Sequence, residues 1–392
     1  MTTRTRPRAR LAGLAAVLIT ATALTGTARA AQDTRAPAAG HEKTRQAIEA
    51  AVEAGVPGVT AEARDADGRW RTAAGVGDLR TGAARGLHDR FRVGGVTSTF
   101  VATVLLQMTA EKKLSLDDTV EHHLPGVVTG NGNDGRTVTV RQLLNHTSGL
   151  FDYLAEPAYY EKYILGDGFL QHRYDHLTAA QRLRVALAHP PQFAPGARHA
   201  FSHTNDLLAA LILEKVAGTS YENEVRRRVI EPLGLKATSH PGASTGLPRP
   251  SGRGYSKLFS GTQPDRIDDV TEFHGSQVWG DGDIISSAAD LNRFFRALMR
   301  GKVLPPRQLA EFKTTVVNPD LPISSHGLGI ERLELGCGET LWYRDGGTVG
   351  SLTFVATTED GRHQLTFNYN SDWEVSQILP TLTAEFCGPT SG

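Results

Sequence analysis

Two short strings concentrate side chains that move protons or hold anions: Phe201-Ser202-His203-Thr204-Asn205 and Tyr343-Arg344-Asp345-Gly346-Gly347. An imidazole exchanges a proton near neutral pH, a guanidinium grips a carboxylate through two parallel hydrogen bonds, and a carboxylate orients either one. A serine hydroxyl such as that of Ser98 or Ser202 becomes a nucleophile only beside a base. Metal chemistry is less well served. His199 and His203 stand four apart, as do His172 and His176, and His122-His123 are adjacent. None of these pairs encloses a Glu or has a third ligand at a zinc spacing. The pairs Gly94-Gly95 and Gly346-Gly347 lack the surroundings of a phosphate loop. No metal and no cofactor is expected.

Apolar spacing supplies the elements that must position these groups. Lys43 to Ala54 reads as an amphipathic helix, and Val56 to Gly77 as two strands around the turn Asp65-Ala66-Asp67-Gly68. Thr97 to Lys113 is apolar on most faces and reads as a buried helix placed directly after Gly94-Gly95. From Leu116 to Asp290 the pattern is mainly helices and loops. Strands return over Gly327–Leu333, Leu341–Arg344, Ser351–Thr357 and His363–Tyr369, followed by a helix over Val375–Phe386. Strands at both ends with helices between them predict one α/β domain over residues 41–387. Its sheet part covers about 41–115 and 280–387, with an all-helical insertion over about 116–279 and a short tail at 388–392. The cleft between the two parts is the expected pocket. Tyr153, Tyr159, Tyr160 and Tyr163 read either as a wall or lid of it or as insertion core.

Charge narrows the partners. The 392 residues carry 42 basic and 42 acidic side chains, so no global field draws the chain to nucleic acid or an anionic membrane. A small-molecule or peptide ligand in the cleft of a monomer is the expectation. The first thirty residues read as a Sec-type signal: Arg4, Arg6, Arg8 and Arg10, an apolar run from Leu11 to Leu24, and a cleavage site at Ala28-Arg29-Ala30. Residues 31–40 then form a flexible mature terminus, and no stable membrane insertion is expected after cleavage. In an exported chain the two cysteines, Cys337 and Cys387, favour a disulfide between a late strand region and the last helix, with two buried thiols as the alternative.

Five ordered segments resemble the serine β-lactamase and D-alanyl-D-alanine carboxypeptidase family, closest to its class C β-lactamases and secreted carboxypeptidases. They are Phe91-Arg92-Val93-Gly94-Gly95-Val96-Thr97-Ser98, Leu143-Leu144-Asn145-His146-Thr147-Ser148-Gly149-Leu150, Phe193-Ala194-Pro195-Gly196 with the Phe201 string, Gly282 to Leu291, and the Tyr343 string. The resemblance implies a β-lactamase/transpeptidase-like fold, a mostly antiparallel sheet flanked by helices. It also implies acyl transfer through a Ser, a Lys one turn later and a Tyr. At those positions this chain has Gly95, Ser98 and Phe201, with His203 for the Asn and Arg344 for the third motif's cationic residue, while Gly346 is kept. Loss of the nucleophile alone costs on the order of 10⁶ in kcat. Three readings remain open. A rewired enzyme would use His203 as base, Arg344 for a carboxylate and Asp345 to orient His203 or balance Arg344. It would work by proton transfer, of isomerase, lyase or cyclase type, or through a relocated nucleophile, Ser98 or Ser202. A silent protein would bind D-Ala-type peptide, peptidoglycan or a partner. Weak residual hydrolysis is the third. The bland alternatives are a helix-turn hydroxyl for Ser98, a loop histidine for His203 and a local Arg344–Asp345 ion pair.

Overall fold

A computed structural model describes residues 40–259 and 265–388. The expected signal, its cleavage site and nearly all of the two terminal tails lie outside the described residues. The first hairpin, Gly58–Arg64 (β1) and Arg69–Asp78 (β2), turns at Asp65, whose Oδ1 accepts hydrogen bonds from the amides of Asp67 (2.8 Å) and Gly68 (3.1 Å). Ala83–Ala84 (β3) extends it. The remaining strands come late: Val316–Val317 (β4), Ser324–His326 (β5), Glu331–Glu334 (β6), Thr340–Thr348 (β7), Ser351–Thr358 (β8) and Gln364–Tyr369 (β9). They build one nine-stranded sheet in the order β4-β5-β6-β7-β8-β9-β1-β2-β3, with every neighbouring pair antiparallel. The pairing of Val59 with Tyr369 and Ala63 with Leu365 joins the two ends of the chain.

Five helices support the sheet: Glu42–Glu53 (α1), Thr97–Ala110 (α2), His203–Ala217 (α3), Ala288–Met299 (α4) and Ile378–Phe386 (α5). On one face Ile48 and Ala51 of α1 and Leu382 and Phe386 of α5 pack with Phe354 and Phe367 of the sheet. On the other, α4 lies against β1, β8 and β9. Its Phe294 stacks on Phe100 of α2, ring centres 4.0 Å apart. With both faces covered, β1 is buried along six consecutive residues instead of alternating. Cys337, in the turn between β6 and β7, is bonded to Cys387 at the end of α5, with Cα atoms 6.0 Å apart.

Three expectations need correction. The strand over Gly327–Leu333 is a hairpin instead, β5 and β6 joined by a turn. Gly329 takes φ +82°, and a Cβ there would lie 2.7 Å from Ala102 Cβ, so the turn presses against α2. The insertion is not wholly helical: Thr129–Gly130 pairs with Asn133–Asp134, and Tyr255–Ser256 with Asp268–Asp269. Asn131 between the first two strands has positive φ, the conformation a tight hairpin needs. The closing helix begins at Ile378, three residues later than its apolar pattern suggested.

Candidate functional site

A short helical turn, Gly94–Val96, leads into α2 and faces the backbone of β7. The approach is close. A Cβ at Gly94 would meet Gly347 O at 2.6 Å, and one at Gly346 would meet Val93 O at 2.0 Å, so neither position can carry a side chain. Gly95 differs. Its φ is not in the left-handed region, and a Cβ would find Arg344 Nη2 and Asp345 O at 3.4 Å, ordinary contact. Neither backbone nor space demands glycine at 95.

Three of the five replaced positions, Gly95, Ser98 and Arg344, meet at one carbonyl oxygen. Gly95 O accepts hydrogen bonds from Ser98 Oγ (2.8 Å) and from Arg344 Nε (3.2 Å). Ser98 is thus a buried first-turn hydroxyl tied to its own helix, not a group presented to the cleft. Arg344 is buried, and its ion-pair partner is Glu331, with Nη1 to Oε1 at 2.9 Å. Glu331 also accepts from Tyr343 Oη (2.7 Å) and Ser324 Oγ (3.0 Å), and His326 Nδ1 lies 3.6 Å from its Oε1. Against the effect of burial, His326, Arg344 and Tyr343 hold its carboxyl well below the usual range. Asp345 does not orient His203 and makes no ion pair with Arg344, though its charge adds to that of Glu331 in favouring the Arg344 cation. Side chains alternate along β7, so Arg344 points inward while Asp345 is exposed. Phe201 sits with its ring centre 5.7 Å from the Arg344 guanidinium carbon and 4.8 Å from the His203 ring.

His203 begins α3. Its Nδ1 lies 3.0 Å from Asp152 Oδ2, and its backbone N–H donates to Asp152 Oδ1 at 3.3 Å. Burial disfavours the imidazolium, yet the Asp152 carboxylate outweighs it and pushes His203 up to about 9. At neutral pH His203 is therefore a charged donor, which corrects its assignment as a general base. Ser202 is buried, and its Oγ has no hydrogen-bond partner among the described residues. No base lies within bonding reach of that oxygen. Its backbone N–H donates to His146 Nδ1 at 3.3 Å.

Several site residues escaped the sequence reading. Asp152 stands two residues after the HTSGL string but carries no motif of its own. Asp206 lies one turn into α3, where burial pushes its carboxyl up to about 7 against the pull of Arg344 and His203. His146, His199 and His326 form a buried cluster with ring centres 4.7 to 6.1 Å apart. His199 and His203 therefore do not share a ligand. Burial and the neighbouring His326 push His199 down to about 4. Asp118, His122 and His123 do bring potential metal-ligand atoms within 4.8 Å of one another, but none of them belongs to the cleft.

A cavity of about 230 Å³ is lined by His203 and by Gly347 and Thr348 of β7; of the residues expected to form the site, only His203 lines it. Tyr153, Tyr159, Tyr160 and Tyr163 all line it, and Tyr153 and Tyr159 also belong to the main core, so both readings of the tyrosine cluster hold. Asp281 lines it too, held by Tyr153 Oη and by Arg182 Nη1 at 3.3 Å. No helix among the described residues is long and apolar enough to cross a membrane.

Known proteins place this arrangement. The family model described as Beta-lactamase matches residues 44–372. A D-stereospecific amidohydrolase from Streptomyces sp. superposes with a TM-score of 0.84 at 46% identity, covering 89% of this chain and 99% of that one. Esterase EstB of Burkholderia gladioli is 32% identical over 184 residues, 46% of each chain. Penicillin-binding protein 4 of Amycolatopsis lactamdurans is 28% identical over 163 residues, 42% of this chain and 39% of that one. The chain spans about half the length of the curated relatives it matches most strongly. The antiparallel sheet, the glycine contact between the Gly94 turn and β7, and the match over residues 44–372 agree: this chain belongs to the Beta-lactamase family.

Proposed function

We propose that the protein binds a small amino-acid- or peptide-derived ligand in the cleft and forms no acyl-enzyme. Gly95 carries this reading. The position from which the family's serine attacks has room for a side chain and lacks one, while the nearest hydroxyl, Ser98, is committed to Gly95 O. Attack on a carbonyl requires an activated nucleophile, and no side chain at the five replaced positions supplies one. The similarity to a D-stereospecific amidohydrolase suggests amides of D-amino acids as the ligand class. The leader-like first thirty residues and the Cys337–Cys387 bond support a secreted protein. The test is incubation with a β-lactam or a fluorophosphonate followed by intact mass, beside calorimetry with D-amino acid amides. The expected result is unmodified protein that binds an amide and leaves it intact. A covalent adduct at Ser98 or Ser202 defeats the proposal.

A second reading, proton transfer without a covalent intermediate, draws on the charged His203–Asp152 pair at the cavity. In that case His203 acts as the acid. Turnover of a bound ligand that is lost in His203→Ala, with binding retained, would establish it in place of silent binding.

A further inference from the structure

We infer that the cavity is built for an organic cation, a primary ammonium carried on an aromatic or bulky apolar group, with Asp372 as the residue that recognises the charge. This rests on the reading that the cleft binds a small ligand and specifies what kind. Three ionisable groups besides the tyrosines line the cavity. His203 is matched by Asp152, and Asp281 by Arg182. Asp372 has no such match. Its Oδ2 accepts from the Gly350 amide at 2.9 Å, which fixes the carboxylate against the β7–β8 turn. Its Oδ1 is buried and makes no full hydrogen bond among the described residues, the Ser256 hydroxyl being the polar side chain near the carboxylate, and no Lys, Arg or His among them forms an ion pair with it. Burial pushes the carboxyl up to about 6, so it still carries its charge at pH 7. A largely desolvated carboxylate without a counter-ion is costly, and a cation arriving in the cavity that Asp372 lines relieves that cost. An anionic ligand adds to it, and a neutral one leaves it in place. The rings of Tyr159, Tyr160 and Phe169 offer apolar wall and π-faces to the same ligand.

Three probes sharing one ring separate the possibilities: 2-phenylethylammonium, 2-phenylethanol and phenylacetate, each titrated by calorimetry into the full chain. A charge-assisted hydrogen bond predicts that the ammonium binds about 10- to 100-fold more tightly than the alcohol, with the carboxylate weakest. The other titratable groups facing the site are His203, Asp281 with Arg182, Tyr153, Tyr159, Tyr160 and Tyr163. From pH 5 to 7 ammonium affinity should rise about tenfold as Asp372 ionises, while alcohol affinity stays level. In Asp372→Asn the ammonium and the alcohol should bind alike and the pH rise should vanish. If that variant does not fold, the wild-type probe series and its pH profile still decide. An alcohol that binds the wild type as well as the ammonium overturns the assignment, and so does an ammonium preference that survives in Asp372→Asn. If no probe binds at all, the binding reading fails with it.

Discussion

Reinstating the family's lysine should be harmful alone and tolerated once Arg344 is removed. Ser98 Oγ and Arg344 Nε lie 2.8 and 3.2 Å from the same oxygen, so the two atoms are at most about 6 Å apart. A lysine at 98 would bring its ammonium to roughly 5 Å from the buried guanidinium. At an effective dielectric near 20 the repulsion is about 3 kcal/mol. Arg344→His alone leaves Glu331 with only the His326 imidazole beside it and should cost about 3 kcal/mol, the lower end for breaking a buried pair. In the double variant Ser98→Lys/Arg344→His the repulsion is gone and the new ammonium can reach Glu331. The pair should then be less destabilised than the sum of the singles by about 3 kcal/mol or more. Urea unfolding of the four proteins, extrapolated linearly, measures that coupling. Additivity within about 0.5 kcal/mol would mean that Arg344 does not occupy the electrostatic place of the family's lysine.

Other outcomes follow from the same contacts. Gly95→Ala should leave stability unchanged or raise it by up to about 1 kcal/mol, because an allowed conformation becomes less free in the unfolded chain. Gly94→Ala and Gly346→Ala, whose Cβ atoms would collide with backbone, should unfold at much lower denaturant; equal midpoints for all three would refute the distinction. Replacing Cys337 and Cys387 by Ser opens a loop of 50-residue separation and should cost about 4 kcal/mol in the chain-entropy account, readable as a fall in the urea midpoint. His203, raised from 6.5 to about 9, contributes stability that is complete below pH 6.5 and lost as pH rises through 9. At 1.36 kcal/mol per unit this is about 3 kcal/mol. The wild type should therefore lose its advantage over His203→Asn across that window, and a pH-independent difference would refute the ion pair.

The sheet was legible because its strands are apolar runs with turn residues between them, and α2 because it is apolar on most faces. The break at Gly327–Ile330 was not legible: what bends it is contact with α2, a tertiary fact that leaves no local pattern. In the site, the five replaced positions could be numbered from motif order, and they do meet in space. Their roles could not. Asp345 stands next to Arg344 in sequence, but the alternation of β7 sends it outward, and the counter-charge comes from Glu331, one strand away. Asp152 holds His203 across 51 residues, and Asp372 follows the last strand with no motif around it. Partners of this kind are set by topology.

The replacements also fit one another in a way that bears on function. Without a cation at 344 Glu331 would be buried beside Tyr343, Ser324 and the His326 imidazole alone, a loss of about 3–5 kcal/mol in a protein whose whole stability is typically about 5–15. Arg344 supplies that cation, Ser98 is small enough to lie under it, and Phe201 presents a ring where a tyrosine would present a hydroxyl. The second introduced charge, His203, is likewise matched by Asp152. Charges at the old catalytic positions are thus internally balanced, and little is left over there for a ligand. The imbalance lies instead at Asp372, which lines the same cavity as His203 and the four tyrosines. Selection for binding should therefore be read at Asp372 and its aromatic neighbours, and substitutions there should alter ligand preference while Arg344→Lys, which keeps the cation, should not.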